Sequence, residues 1–316
     1  MRCPCCTTAM TPERTVWDDR HGEPGTFIVW RCPACAHRSL GESARNLDPI
    51  RLYSERYPRR HFCVDSWRPS QPTRGARGWL DGARALAHCW VRPGSHVLDV
   101  GCGWGETLGY LRARGCTVAG AEADSNLRRI ADLQGFDVRV GPFSADDWSG
   151  YRFDTIVLNQ VLEHLPDPIK TLSDLHRLLS PDGTVIATTP NTASLVRYLT
   201  GSRWIHWHAP YHLHLFSHGS LRAAFQRAGF GVAGHLDITP SAWYQYQLVH
   251  LGVRPARPGM RAGFWNPDVG MGVGERLWTR LILQGSRVLP LPSLLARMAD
   301  ALQLGDNQLL IARASG

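Results

Sequence analysis

Hydrophobic and polar positions follow two periods along this chain. "HVLDV", residues 96–100, is apolar and β-branched in the way a buried strand is. Similar runs predict strands near 117–122, 137–141, 154–159 and 184–189, with "GVAGHLDI" and "NQLLIARA" as the last two. Between them, "ETLGYLRARG" and "SLRAAFQRAGF" repeat apolar residues at three- and four-residue intervals and predict helices, the second ending at Gly229. "RGWLDGARALAHCWV" predicts an amphipathic helix before the first strand. Strands alternating with helices imply an α/β fold with a mostly parallel sheet.

The ends of the chain depart from this pattern. Residues 1–40 carry paired cysteines; residues 41–73 have few periodic signals and many Pro and Arg, and read as a linker or a cover over the site; residues 74–316 hold the alternating elements. The last two strands are about 65 residues apart, far more than a hairpin needs, so roughly 240–305 is an insertion.

Composition narrows the class. The 316 residues are 43% hydrophobic and 20% charged, as in an ordinary globular protein. No apolar run approaches the ~18 residues of a membrane span, and "MRCPCC" has no signal-peptide core, so a cytoplasmic protein is expected. The net charge is +8, carried almost wholly by arginine, with Lys170 the single lysine. That fits a GC-rich coding bias, or an anionic partner such as a nucleic acid, a phosphorylated substrate or an acidic membrane surface. No block of basic residues marks a nucleic-acid tail.

Five of the nine cysteines lie in the first 35 residues. Cys3/Cys6 and Cys32/Cys35 form two C-x2-C knuckles, which suit a tetrahedral structural Zn2+ with no open position. Cys5 sits inside the first knuckle and is not expected to be a ligand. "TFIVWRC" predicts a strand entering the second knuckle. A disulfide framework would need an oxidising compartment, and a redox pair would need a thioredoxin-like setting.

"HVLDVGCGWGETLGYLRARG" is a strand, a G-x-G-x-G turn and a helix, an arrangement that lets backbone approach a nucleotide. Asp99, two residues before Gly101, would repel a pyrophosphate but can pair with an ammonium group. S-adenosylmethionine carries one at its methionine end. Glu122 closes the next strand, where a carboxylate can accept from both ribose hydroxyls.

With these residues the chain resembles the class I S-adenosylmethionine-dependent methyltransferases. "LDVGCGWG" is similar to their first motif, Glu122 stands at the ribose position, and "FDTIVLNQVLEHLPDP" and "LLSPDGTVIATTPN" resemble the fourth and fifth strands with their loops. The likeness spans roughly residues 74–235. "NQVLEHLPDP" and the pattern Pro210, His212, Leu213, Phe216, Ser217 resemble the subgroup of ubiquinone-biosynthesis O-methyltransferases and natural-product or polysaccharide-cluster methyltransferases. Some of these begin with a cysteine ribbon and a segment like "YSERY", here Tyr53 to Tyr57. The subgroup's E-x-x-E-H reads Q-x-x-E-H from Gln160, and an amide is a poorer ligand for a hard cation.

The resemblance implies a Rossmann-like seven-stranded sheet, its last strand antiparallel, with an N-terminal zinc ribbon and a C-terminal lid insertion. It implies that Asp99, Gly101, Cys102 and Gly103 hold the methionine end of the cofactor, and that Glu122 and Ala123 hold the ribose. Phe143 and Ser144 would flank the adenine. Asn159 and Gln160 would line the methyl-transfer cleft. The insertion contains Trp243, Tyr244, Tyr246, Trp265 and Trp278, and its "GERLWTRLILQGSRVLPLPSLLARMADAL" interleaves apolar residues with Arg276, Arg280, Arg287 and Arg297. It reads as a lid shaping the acceptor pocket, or as an interfacial helix pair making peripheral membrane contact.

"HWHAPYHLHLFSH" places five histidines between 206 and 218. His208/His212 and His214/His218 have helical ligand spacing, but Pro210 interrupts the first pair and "LHLFS" alternates as an extended segment, so no metal is expected here. In an extended segment His212 and His214 would point to one side. An alcohol or phenol acceptor must lose a proton, which a near-neutral histidine can take. His212 is the first candidate base and His164 the second; His206, His208 and His218 would line the pocket or lie at the surface. The expected function is O-methylation of a small-molecule, natural-product or carbohydrate acceptor. The rivals are a zinc-ribbon RNA methyltransferase, which would use the basic charge, and a non-catalytic cofactor-binding module.

Overall fold

The computed structural model describes residues 1–48, 51–56 and 64–314. Eleven strands are present among them: β1 (Thr11–Val16), β2 (Phe27–Arg31), β3 (Arg38–Leu40), β4 (His96–Val100), β5 (Thr117–Glu122), β6 (Asp137–Val140), β7 (Phe153–Asn159), β8 (Leu179–Pro190), β9 (His214–Leu215), β10 (Phe230–Asp237) and β11 (Asn307–Ala314). Seven make one sheet in the order β10-β11-β8-β7-β4-β5-β6. Pairs among β4 to β8 are parallel, and β11 runs antiparallel between β8 and β10. This is the expected Rossmann-like methyltransferase sheet. Strand order reverses at β4, which has β5 on one side and β7 on the other, so a crevice opens at the carboxyl end of β4.

Alternation along each strand distributes the apolar side chains to two layers. Leu98, Ile156, Val185 and Leu310 join the cluster that also holds Leu172, Leu175 and Phe225 from flanking helices. Their neighbours Val97, Val157, Ile186 and Leu309 join a second cluster with Val91 and Leu111. Both faces are therefore covered, as a parallel sheet requires.

The helix expected over residues 77–91 is shorter. It spans Gly75–Asp81 and ends at Gly82, whose φ of +69° is left-handed; two 3-10 turns follow. A Cβ on Gly82 would stand 2.2 Å from the Thr239 carbonyl, so the close approach of the insertion fixes glycine there and breaks the helix.

The N-terminal residues form a second sheet, β1-β2-β3-β9, whose fourth strand comes from the histidine-rich segment. Val29, Leu40 and Phe27 of the ribbon share a cluster with Trp204, Trp207 and Leu215, and with Tyr244, Ala296 and Ala299 of the insertion. The loop after β1 adds polar ties: Asp19 Oδ2 meets His250 Nε2 at 3.1 Å and Arg254 Nε at 2.8 Å.

The insertion is helical at Ser241–Val253, Val273–Val288 and Leu291–Ala301. Its two ends meet. Gly305 N–H donates to Asp237 Oδ2 at 2.9 Å, Asp306 N–H donates to Thr239 Oγ1 at 2.8 Å, and Ile238 N–H donates to the Asn307 carbonyl at 3.2 Å.

Candidate active site

The glycine turn lies at the carboxyl end of β4. Gly101, Gly103 and Gly105 all have positive φ, from +58° to +78°. A Cβ on Gly101 would come within 2.4 Å of Val161 Cγ2, so the loop after β7 closes directly against the turn. Cys102 is buried, and its Sγ would be 2.7 Å from a Cβ on Gly120. The turn is tied to β5 by Gly101 N–H and Cys102 N–H donating to the Ala121 carbonyl at 2.7 and 3.2 Å. Trp67 and Ser70 cover it: Trp67 Nε1–H donates to the Trp104 carbonyl at 2.7 Å, and Ser70 N–H to the Glu106 carbonyl at 2.9 Å.

Two carboxylates flank this turn. Asp99 is buried, and burial together with the nearby Glu122 charge holds its carboxyl well above the usual range. Its Oδ1 is buried and makes no hydrogen bond among the described residues. A ligand ammonium brought to that oxygen would pair it and favour its charged form. Glu122 accepts from Gly103 N–H at 2.8 Å and from Asp124 N–H at 3.0 Å. It thus shapes the turn, and each carboxylate oxygen keeps capacity for a further donor. Ala123 is exposed beside it. Phe143 is partly buried against the main core, and Ser144 caps the following 3-10 turn by accepting from Asp146 N–H.

At the end of β7, Asn159 Oδ1 accepts from Ala87 N–H at 3.1 Å and from Thr188 Oγ1–H at 3.0 Å. Gln160 has a left-handed φ of +58°, and its amide lies 3.1 Å from Thr188 Oγ1 and 2.8 Å from Asn307 Oδ1. Asn159 and Gln160 therefore bind β7 to β8 and β11, the work of neither being evident from sequence. Glu163 follows, fully buried, with Oε2 unbonded among the described residues. Burial pushes its carboxyl up to about 8.

The histidine segment is not the open loop the sequence implied. His206, His208, His212 and His214 are all buried, and His218 holds Asp237 Oδ1 at 2.6 Å rather than lying free at the surface. Pro210 does not separate His208 from His212. The backbone turns back on itself, with His212 N–H donating to the His208 carbonyl at 3.0 Å, and the two rings come 4.8 Å apart. His212 and His214 do not share a side. His212 faces His164, with ring centroids 4.7 Å apart, whereas His214 enters β9 and meets His37 and Arg45. The turn before β9 defeats simple alternation.

His212 Nδ1 lies 2.9 Å from the His206 carbonyl. A carbonyl only accepts, so that nitrogen carries the proton and Nε2 presents a lone pair. His164 Nδ1 lies 2.9 Å from both the Tyr211 carbonyl and Tyr53 Oη. Tyr57, the last residue of the "YSERY" segment, lies outside the described residues. Burial drives the His212 and His208 pKa values well below 6.5, so both rings are neutral at pH 7. Glu163, His164 and His212 bring one ligand atom each within 4.8 Å of one another. Two imidazoles and a carboxylate can accept a borderline divalent cation, and Gln160 adds no charge to such a set.

In the ribbon, Cys3, Cys6, Cys32 and Cys35 form a second such group. The recorded Sγ–Sγ separations are 3.4–3.5 Å. Four thiolates about 2.3 Å from a zinc ion would lie roughly 3.8 Å apart, so the four fit Zn2+ with a small expansion. Cys5 is buried beside them; its hydrogen bonds to Cys3 and Cys35 keep its thiol protonated.

Comparison with known proteins adds to this geometry. A family model described as a methyltransferase domain matches residues 76–234. The ubiquinone biosynthesis O-methyltransferase of Paracidovorax citrulli is 31% identical over 163 residues, covering 48% of this chain and 66% of the relative. That of Pseudomonas syringae pv. tomato is 32% identical over 120 residues, 36% of this chain and 49% of the relative. The chain thus spans between about half and two thirds of the length of these curated relatives. Among solved structures, an S-adenosylmethionine-dependent methyltransferase from Mesorhizobium loti aligns with a TM-score of 0.45 and 15% identity, over 76% of this chain and all of that one. One from Archaeoglobus fulgidus aligns with a TM-score of 0.45 and 17% identity, over 74% and 93%. The family match spans the glycine turn, Glu122, the β7 loop and the histidine segment, and the chain belongs to the methyltransferase-domain family as a class I S-adenosylmethionine-dependent methyltransferase.

Proposed function

We propose that the enzyme methylates an oxygen of a small-molecule, natural-product or carbohydrate acceptor, with His212 as general base. One observation carries this reading. The His206 carbonyl fixes the His212 tautomer so that Nε2 offers a lone pair, on a ring seated against His164. The similarity to ubiquinone biosynthesis O-methyltransferases supports oxygen as the accepting atom.

S-adenosylmethionine supplies an activated methyl group. Asp99 and the Gly101–Cys102–Gly103 turn hold its methionine end, Glu122 and Ala123 its ribose, and Phe143 and Ser144 its adenine. Asn159 and Gln160 form the wall next to the methyl group. The acceptor hydroxyl gives its proton to His212 Nε2, taking the place of His208 Nδ1, now 3.4 Å away. Burial keeps the ring neutral at pH 7, so Nε2 is unprotonated, and a polar acceptor bound beside it would raise its basicity toward the range a general base needs. His164, held by Tyr53 and the Tyr211 carbonyl, positions His212. The ribbon cysteines hold a structural Zn2+.

The test pairs binding with turnover. Extracts incubated with enzyme and isotopically labelled cofactor identify the acceptor by mass spectrometry. His212→Ala is expected to keep cofactor affinity and to lose roughly 10²–10⁴-fold in rate, the range for a lost base. Full activity in His212→Ala would remove it as base and pass the role to His164. Loss of a tightly bound metal on changing His212 would replace acid–base catalysis with metal-assisted chemistry.

A further inference from the structure

The helices Val273–Val288 and Leu291–Ala301 leave an apolar face without a partner among the described residues. On the first, Val273, Leu277, Leu281 and Val288 are 63–80% exposed and recur at helical spacing. Its other face is spent on the insertion: Trp278 Nε1–H donates to the Leu248 carbonyl at 3.0 Å, and Thr279 is buried. On the second, Leu291, Leu295, Met298 and Leu302 are 46–67% exposed, while Ala296 and Ala299 turn inward to the shared core. Leu195 and Leu199 extend the face, since Leu195 N–H donates to the Leu304 carbonyl at 2.9 Å. The largest apolar patch on a soluble monomer is roughly 300–600 Å². Ten apolar side chains lie open here, eight of them on or just beyond two helices that both pack against Ser241–Val253.

Charge selects the occupant. Arg276, Arg280 and Arg287 run beside the Leu277–Leu281 stripe, exposed and in no ion pair among the described residues. The one carboxylate on that helix, Glu275, is turned to the Gly272 N–H at 2.7 Å. A second copy seated on this face would offer the arginines no free carboxylate from this helix. An anionic bilayer takes both parts, with leucines in the acyl boundary and guanidinium groups among the phosphates.

We infer that these two helices dock the enzyme on an anionic membrane surface, lying in its plane and not crossing it. No described helix is long and apolar enough to cross a membrane. The insertion that carries the face leaves and re-enters the sheet at its carboxyl edge. Asn307, at the base of the insertion, pairs with Pro190 at the carboxyl end of β8, and its Oδ1 meets the Gln160 amide at 2.8 Å. The inference concerns the surface alone and stands whichever atom is methylated.

Flotation of the full chain with vesicles tests it. The protein is expected to float with phosphatidylcholine vesicles containing phosphatidylglycerol, and weakly or not at all with phosphatidylcholine alone. Each of Arg276→Gln, Arg280→Gln and Arg287→Gln should weaken partitioning about fivefold, the equivalent of roughly 1 kcal/mol per surface arginine. Leu277→Glu with Leu281→Glu should abolish flotation while calorimetry finds unchanged S-adenosylmethionine affinity, which shows that the variant is folded. No flotation of the wild type, or flotation indifferent to both sets of changes, would overturn the inference. A wild-type dimer that the Leu277→Glu/Leu281→Glu pair converts to monomer would assign the face to a second copy instead.

Discussion

His37 Nε2 stands 3.1 Å from His214 Nδ1, joining the cysteine ribbon to the strand that follows the candidate base. Both rings are buried, and burial holds the His37 pKa well below 6.5 and brings His214 to about 3. One ring donates and the other accepts, so the accepting ring must be neutral. Ser39 Oγ and Leu40 N–H each donate to the Leu213 carbonyl, at 3.1 and 2.9 Å, and Ser217 Oγ donates to the carbonyl of Cys35 at 3.1 Å. Ribbon and histidine segment are thus one structural unit.

Neutral burial sets the acid stability. A histidine with a lowered folded pKa binds fewer protons than in the unfolded chain, so its contribution is present above pH ~6.5 and is lost as pH falls. With His37, His208, His212 and His214 all shifted down, unfolding followed by circular dichroism should show stability falling steeply from pH ~6.5 toward 4, by up to roughly 1.4 kcal/mol per pH unit for each group. His37→Gln with His214→Gln should flatten that slope even if it lowers the melting temperature at pH 7.

Glu163 has the opposite sign. Burial raises its carboxyl from 4.5 to about 8, so its contribution is present below pH ~4.5 and is lost progressively as pH rises to 8. Glu163→Gln should leave thermal stability nearly unchanged at pH 4 and raise it relative to wild type at pH 7 and above. Destabilisation at pH 7 together with loss of a bound cation would identify Glu163 as an ionised metal ligand.

Gly101 tests the cofactor cradle. An added Cβ would meet Val161 Cγ2 at 2.4 Å and would sit at a φ of +74°. Gly101→Ala should abolish measurable S-adenosylmethionine binding in calorimetry. Val161→Ala in the same chain removes the clash but not the backbone strain, about 1–2 kcal/mol, so partial recovery is expected. Full recovery would show that the left-handed backbone is unimportant.

The ribbon should carry one zinc per chain. Metal analysis well below one equivalent, with Cys3, Cys6, Cys32 and Cys35 freely titratable, would refute it. Removing the metal, or Cys3→Ser, should leave cofactor affinity largely intact while altering the environment of the histidine segment, observable as shifted His214 imidazole resonances. Hydrogen bonds from Ser39, Leu40 and Ser217 transmit that change.

The sheet was legible because each of its strands announces itself locally: alternation at 96–100 and 154–159 and the glycines after β4 need no distant partner. The cysteine group was legible from spacing for the same reason. What sequence could not supply depends on contacts between remote segments. Gly82 breaks a well-patterned helix because Thr239 approaches it. β9 is two residues long and exists because β3 lies beside it. Trp243 of the insertion packs on His206 with ring centroids 4.1 Å apart, His21 of the N-terminal segment lies 5.7 Å from His208, and burial at the β7 loop raises Glu163. The side chains of Asn159 and Gln160 are bonded to Ala87, Thr188 and Asn307, contacts that no local pattern announces.

Asp237 and Gly305 meet at 2.9 Å, and this has a consequence for the chain as a polymer. An excursion that leaves and returns at one point imposes no register on the strands it joins. Replacing it by a four-residue turn would cut the closure entropy of that loop by roughly 2 kcal/mol, because the cost grows only as the logarithm of length. The sheet would then lose nothing it needs to pair β10 with β11. The ribbon would lose Tyr244, Ala296 and Ala299 from its core. An abbreviated chain is therefore expected to keep the cofactor domain and to surrender the ordered N-terminus, so the insertion serves as the ribbon's scaffold more than the sheet's.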